Sequence, residues 1–197
     1  MNHEAMRMIA HVDQFRALAR IGGEDDLVRS SVDLGNLVKM IVDERKDELA
    51  AREISVRMHM LPTIDAYEHL VIVLYRNLLD NGIIHSTGED RIIEFTAEST
   101  AGGWILGVRN SGSVIPEPDL ERIFEPFTTL HQRADRAGFG LAIARRIVER
   151  HAGWIRAASG PDTVHVRFML NVENEAHDED DQPPDDRNDP ARRHGGR

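Results

Sequence analysis

Cysteine is absent from this chain of 197 residues. No disulfide framework and no thiolate metal site can form, which fits a reducing compartment. Long apolar runs are missing too: no stretch approaches the ~18 residues that a membrane span needs. The N-terminus, MNHEAMRMIAHVDQF, lacks the apolar region of a signal peptide, so no secretory leader is expected. Positive charge is in deficit, with 24 Lys and Arg against 34 Asp and Glu, a net charge of −10. Phosphate repels such a chain, so a general nucleic-acid binder is not expected.

What is present suits one domain of ordinary size with tails, since 41% of the residues are hydrophobic. The acid is concentrated at the end. Residues 173–197 hold nine carboxylates and four arginines, and nine minus four accounts for half of the net charge. That tail has no large apolar side chain to offset the entropy of ordering, and it reads as disordered. Upstream, EAMRMIAHVDQFRALAR (4–20) has helical apolar spacing and stops near Gly22-Gly23. Ser31-Val32-Asp33 is expected to open a second helix with Leu34, Leu37, Val38, Ile41 and Val42 as its stripe. ISVRMHM (54–60) alternates like a strand, and Asp65 is expected to cap a third helix reaching about His85. Strands at 91–98 and 103–110, a helix at 141–153 stopped by Gly153, and a hairpin turning at Gly160-Pro161-Asp162 complete the pattern. The order predicts an α/β two-layer sandwich: a mixed, mostly antiparallel sheet with helices on one face.

Three segments could carry chemistry. In NLLDN, Asn77 and Asn81 stand at i and i+4 on one helix face. Asparagine is a poor helix former, and neutral amide oxygens suit Mg²⁺, but spacing alone favours amides that cap a neighbouring loop. In VRNSGSVIP a strand runs into Asn110, Ser111 and Gly112, where glycine lets the backbone approach a ligand and Asn110 offers a directional donor and acceptor. Taken by itself, this segment is better explained as an ordinary strand-to-loop turn. Third, Gly138-Phe139-Gly140 feeds directly into a helix, an arrangement that favours phosphate through backbone N–H groups and the helix dipole. A tight turn is the plain alternative.

Taken together and in order, NLLDN…HS, N-x-G-x-x-IP, IFEPF and GFGLAIARRIVERHAG resemble the catalytic ATP-binding domain of sensor histidine kinases, within the Bergerat-fold (GHKL) ATPases. The resemblance covers roughly residues 33–171. It implies ATP and Mg²⁺ as cofactors, Asn81 as the metal ligand, and Asn77 facing the phosphates, the two together forming the catalytic pair. It implies that His85 lies near the nucleotide, that Asn110 meets the adenine edge, and that Gly112 and Ile115 shape the adenine pocket. Phe124 and Phe127 belong to the F box. Residues 128–137 correspond to the ATP lid, with Arg133 and Arg136 as candidate phosphate cations. Gly138, Phe139, Gly140 and Leu141 correspond to the second glycine box.

The sequence departs from the family in four places. Asn110 stands where an aspartate is usual, and Ile84 where many members have a lysine. Arg136 replaces a frequent glycine. The phosphoacceptor motif H-E/D-L/I-R/K-x-P is also missing. Residues 1–30 resemble instead the second helix of the dimerisation hairpin, and His11 on it reads as a surface or packing residue. The expected organisation is therefore that helix, an ATP-binding domain over 31–172 and an acidic tail over 173–197. The expected activity is phosphoryl transfer from ATP to a histidine on a separate chain or a missing segment. The expected partners are a histidine-containing dimerisation domain and a response regulator, in the bacterial cytoplasm. A degenerate binding module and an anti-sigma-type serine kinase are the alternatives.

Overall fold

The computed structural model describes residues 28–112, 114–128 and 138–171. The helix expected at 4–20, the lid residues Arg133 and Arg136, and the acidic tail lie outside the described residues.

Two strands, β1 (Ser30–Asp33) and β3 (Thr63–Ala66), pair antiparallel, with Val32 opposite Ile64. This corrects two expectations. Residues 31–33 are strand, and helix α1 (Leu34–Glu44) starts one residue later, with the Asp33 carboxylate accepting from the Asn36 N–H at 3.0 Å. Asp65 caps nothing; it sits in β3 opposite Ser31. The long helix α3 runs Glu68–His85, after a short α2 (Lys46–Ala51) that the sequence pattern did not suggest. The pairing of β1 with β3 claims the backbone groups that a longer helix would have used.

The main sheet contains β2 (Ile54–Met58), β4 (Arg91–Thr100), β5 (Gly103–Ser111), β6 (Trp154–Ser159) and β7 (Thr163–Met169). Its order is β2-β4-β5-β7-β6, with β2 parallel to β4 and every other pair antiparallel. This is the mixed sheet anticipated from the hairpins. Alternate residues point inward: Ile93 and Phe95, Leu106 and Val108, Val166 and Phe168 are all buried. Leu70, Leu74, Leu78 and Ile83 of α3 are buried in the same core, as are Leu37 and Ile41 of α1. Full burial of one such side chain contributes roughly 1.5–3 kcal/mol. Tyr75 of α3 is fully buried between Phe95 and Phe168, at 6.0 and 5.7 Å between ring centroids. Its hydroxyl has no hydrogen-bond partner among the described residues, and burial raises its pKa far above the ordinary phenol value.

Helix α4 spans Gly140–Arg150 and packs against α3. It does not stop at a glycine in the left-handed region. Ala152 takes that conformation, with φ +50, while its N–H donates to Glu149 O and the Gly153 N–H donates to Val148 O, both at 2.9 Å. Gly153 serves another purpose: a Cβ there would lie 1.9 Å from the Met169 carbonyl oxygen. The loop after α4 can lie against the end of β7 only because that position is bare.

Candidate nucleotide site

The site forms where the C-terminal half of α3, the end of β5 and the start of α4 converge. Asn77 and Asn81 are both half-buried, one turn apart on α3. The Asn77 side-chain Nδ2 donates to the Val73 carbonyl at 2.8 Å, which fixes the amide and leaves Oδ1 turned outward. That Oδ1 faces Gly140, the first residue of α4: a Cβ on Gly140 would lie 3.2 Å from it. The glycine thus lets the N-terminus of α4 sit directly against the asparagine helix. The side chain of Asn81 makes no hydrogen bond among the described residues. An amide oxygen left unbonded, one turn from the Asn77 that faces a helix N-terminus, fits a hard divalent cation that shares phosphate oxygens, so Asn81 suits Mg²⁺.

Helix α4 has no side-chain cap and no acidic residue in its first turn. Its first N–H groups are therefore open to an anion. Leu141 is half-buried against the core, and Phe139 is buried just ahead of it. Gly138 has φ +69, and a Cβ there would meet Thr128 O at 2.8 Å. Phe127, also left-handed at φ +65, packs edge-on against Phe139 with ring centroids 4.6 Å apart. Residues 127–128 and 138–139, the two ends of the lid segment, are thus held together. Phe124 is buried in the preceding 3₁₀ turn (Arg122–Phe124), while Phe127 is 69% exposed. The F-box residues divide accordingly: Phe124 anchors and Phe127 faces outward.

On the opposite side, Asn110 is buried at the end of β5, and its Nδ2 donates to Ser111 O at 3.0 Å. The amide oxygen is left to accept. A Cβ on Gly112 would lie 2.5 Å from the His85 carbonyl oxygen and 3.0 Å from Asn110 Nδ2. Gly112 is therefore bare because the strand end is pressed onto the last turn of α3. The Gly112 N–H donates to Asp162 O at 3.0 Å, and the Ile115 N–H to Ser159 Oγ at 2.8 Å. These two hydrogen bonds tie the loop to the β6–β7 hairpin. No local pattern marks Ser159 and Asp162 as supports of the site, because they lie more than 40 residues from the loop that they hold. His85 and Ile84 are half-buried at the end of α3.

A further residue was legible only as part of a helix end. His151 is fully buried, with Nδ1 2.8 Å from Ile147 O and Nε2 accepting from the Tyr67 N–H at 3.2 Å. That pair of contacts needs the neutral ring protonated at Nδ1. Burial lowers its pKa, the Ile147 hydrogen bond opposing only in part.

Residues 66–174 match the family described as histidine kinase-, DNA gyrase B-, and HSP90-like ATPase. The chain belongs to this ATPase family. Among curated relatives it is 33% identical over 136 residues to the sensor histidine kinase ZraS of Escherichia coli O157:H7, covering 68% of this chain and 29% of that protein. It is 40% identical over 95 residues to the sensor protein PfeS of Pseudomonas aeruginosa, covering 48% of this chain and 21% of that one. The nucleotide-free catalytic domain of the histidine kinase ThkA superposes with a TM-score of 0.64 at 26% identity, covering 73% of this chain and 95% of that domain. The chain therefore spans less than a third of the length of ZraS. The fold expected from the resemblance, and the family itself, are both borne out. Among the described residues no helix is long and apolar enough to cross a membrane.

Proposed function

We propose that this chain is the ATP–Mg²⁺-binding catalytic part of a two-component sensor histidine kinase. It would transfer the γ-phosphoryl group to a histidine on another chain or on a segment outside this sequence. The observation that carries the reading is the Asn81 amide, unbonded among the described residues and one turn from Asn77, whose Oδ1 faces the N-terminus of α4. In this reading Asn81 holds Mg²⁺, which when bound neutralises charge on the phosphates. Asn77 Oδ1 orients the phosphate end, and the N–H groups opening α4 receive phosphate oxygens. Asn110 Oδ1 accepts from the adenine amino group, with Gly112 and Ile115 against the ring. His85 and Phe127 flank the nucleotide, and Arg133 or Arg136 supplies positive charge from the lid. Such a site works by positioning and charge stabilisation, and the acceptor imidazole attacks in line. Residues 1–30 would form a dimerisation-hairpin helix ahead of a catalytic domain at 31–172, with 173–197 as a tail. A response regulator would receive the phosphoryl group in turn, in the cytoplasm.

One observation favours a second reading, a module that binds protein partners with weak nucleotide affinity. Asn110 is neutral where an acidic acceptor is usual, and Ile84 brings no cation to the phosphate end. ATP titration by calorimetry, with and without Mg²⁺, on the wild type and Asn81→Ala decides between them. The kinase reading expects a Mg²⁺-dependent affinity that falls roughly 100-fold in the variant, the upper range for disturbing a metal's ligand environment. Affinity indifferent to both Mg²⁺ and Asn81 would leave only the binding module.

A further inference from the structure

The main sheet has two unlike faces. Its inner face is apolar and covered by helices. Its outer face is charged, with no helix packed on it among the described residues. One row across that outer face runs Arg57, Glu94, Arg109 and His165 on four adjacent strands. The next sets Arg167 beside Arg156, with Glu98 reaching Arg167 at 2.9 Å. Four arginines against two glutamates leave the face positive by two, in a chain whose net charge is −10. Glu94 is already shared by His59 at 2.8 Å and Arg109 at 3.2 Å. Arg57 and Arg156 are exposed and form no ion pair among the described residues; the Arg156 guanidinium lies 5.3 Å over the Trp154 ring. The face therefore has cations to spare.

We propose that the acidic segment 173–186 of this same chain docks on the outer face of the sheet. That segment has eight carboxylates and no lysine or arginine. It follows β7 almost directly, since β7 ends at Met169, and Asn171 accepts through its carbonyl from Arg29 at 3.1 Å at the end of the sheet. Fourteen residues reach up to about 45 Å when extended, while five strands span only about 19 Å. The tether supplies the rest. A short flexible linker gives an effective concentration in the millimolar range, so exposed ion pairs, each shifting the equilibrium by roughly two- to fivefold, suffice together.

The native chain has no cysteine, so His177→Cys places a single nitroxide in the acidic segment. Amide NMR intensities of the full chain then report where the label goes. At low salt, broadening is expected on the outward residues of β4 and β2, the strands remote from the tether, with α1 and α3 spared. About 0.5 M salt shortens the screening length to a few Å and should restore those signals. Replacing the eight carboxylates with Asn and Gln, or combining Arg57→Gln with Arg156→Gln, should do the same. Broadening that avoids β2 and β4, that falls equally on the helices, or that survives salt and tail neutralisation would overturn the proposal.

Discussion

The two sides of the candidate site are built on different principles. On the side of Asn110 and Gly112, the backbone around the single open acceptor, Asn110 Oδ1, is already held in place. Gly112 lies against the His85 carbonyl, its N–H is bonded to Asp162, and Ile115 is tied to Ser159. On the side of Asn77, Asn81 and Gly140, polar groups are left open among the described residues: an unbonded amide and a helix start with no side-chain cap. One side is shape made rigid by packing. The other is charge complementarity held in reserve. Substitutions should therefore cost folding stability on the first side and ligand affinity on the second.

The sharpest test exchanges a glycine on each side. Gly112→Ala forces a Cβ to within 2.5 Å of a backbone oxygen that cannot move aside, so a loss of about 2–3 kcal/mol in chemical denaturation is expected. Gly140→Ala meets only the Asn77 amide oxygen at 3.2 Å, and alanine in a helix gains up to about 1 kcal/mol over glycine. That variant should keep its stability or gain some, yet bind ATP more weakly. Equal losses of stability in both variants would break the contrast.

Acid should weaken the supports behind both sides. His165 lies opposite Arg109, next to Asn110, and its pKa is lowered to about 4, first by burial and then by Arg109 and Arg167. His151, behind α4, is lowered chiefly by burial. Both rings bind a proton more readily in the unfolded chain. Stability is therefore complete above the unfolded pKa near 6.5 and falls as pH drops from there toward 4. With the half-exposed His165 discounted for screening, about 1–2 kcal/mol should be lost between those limits. Thermal unfolding across that range measures it, and His165→Gln should flatten the slope.

A smaller effect probes the acceptor on the rigid side. Asn110→Asp would replace a neutral hydrogen bond to an amino donor with a charge-assisted one, strengthening ATP binding by about fivefold. The free protein should lose stability near neutral pH, because a buried carboxylate without a partner is costly. Calorimetry and denaturation of one preparation separate the two effects. The smallest change concerns the back of α3. Tyr75→Phe removes a buried hydroxyl that has no partner and should stabilise the fold by up to about 1 kcal/mol, with ATP affinity unchanged. A loss of affinity there would show that the two sides of α3 are not independent.

Much of the fold was readable from local pattern. The 3.6-residue stripe of α1, the alternation in β4, β5 and β7, and the glycine start of α4 are short-range signals, and each element formed near its expected place. The departures at β1 and β3 have one cause. Residues 31–33 and Asp65 carry a local helix signal, whereas their pairing partners lie about thirty residues away. No local period records a contact of that range. The site divides in the same way. Asn77, Asn81, Asn110, Gly138 and Gly140 stood out by type and spacing, while Ser159, Asp162 and His151 act through contacts between distant segments.

The sequence by itself determined most of the elements, the family and the set of residues expected to meet a nucleotide. Periodicity and motif spacing are local properties of a chain. Tertiary structure alone decided why two of the glycines must be glycine. Gly112 and Gly153 are bare because the backbone carbonyls of His85 and Met169 come to lie where a Cβ would have stood. Van der Waals exclusion acts between surfaces only once the fold has brought them together.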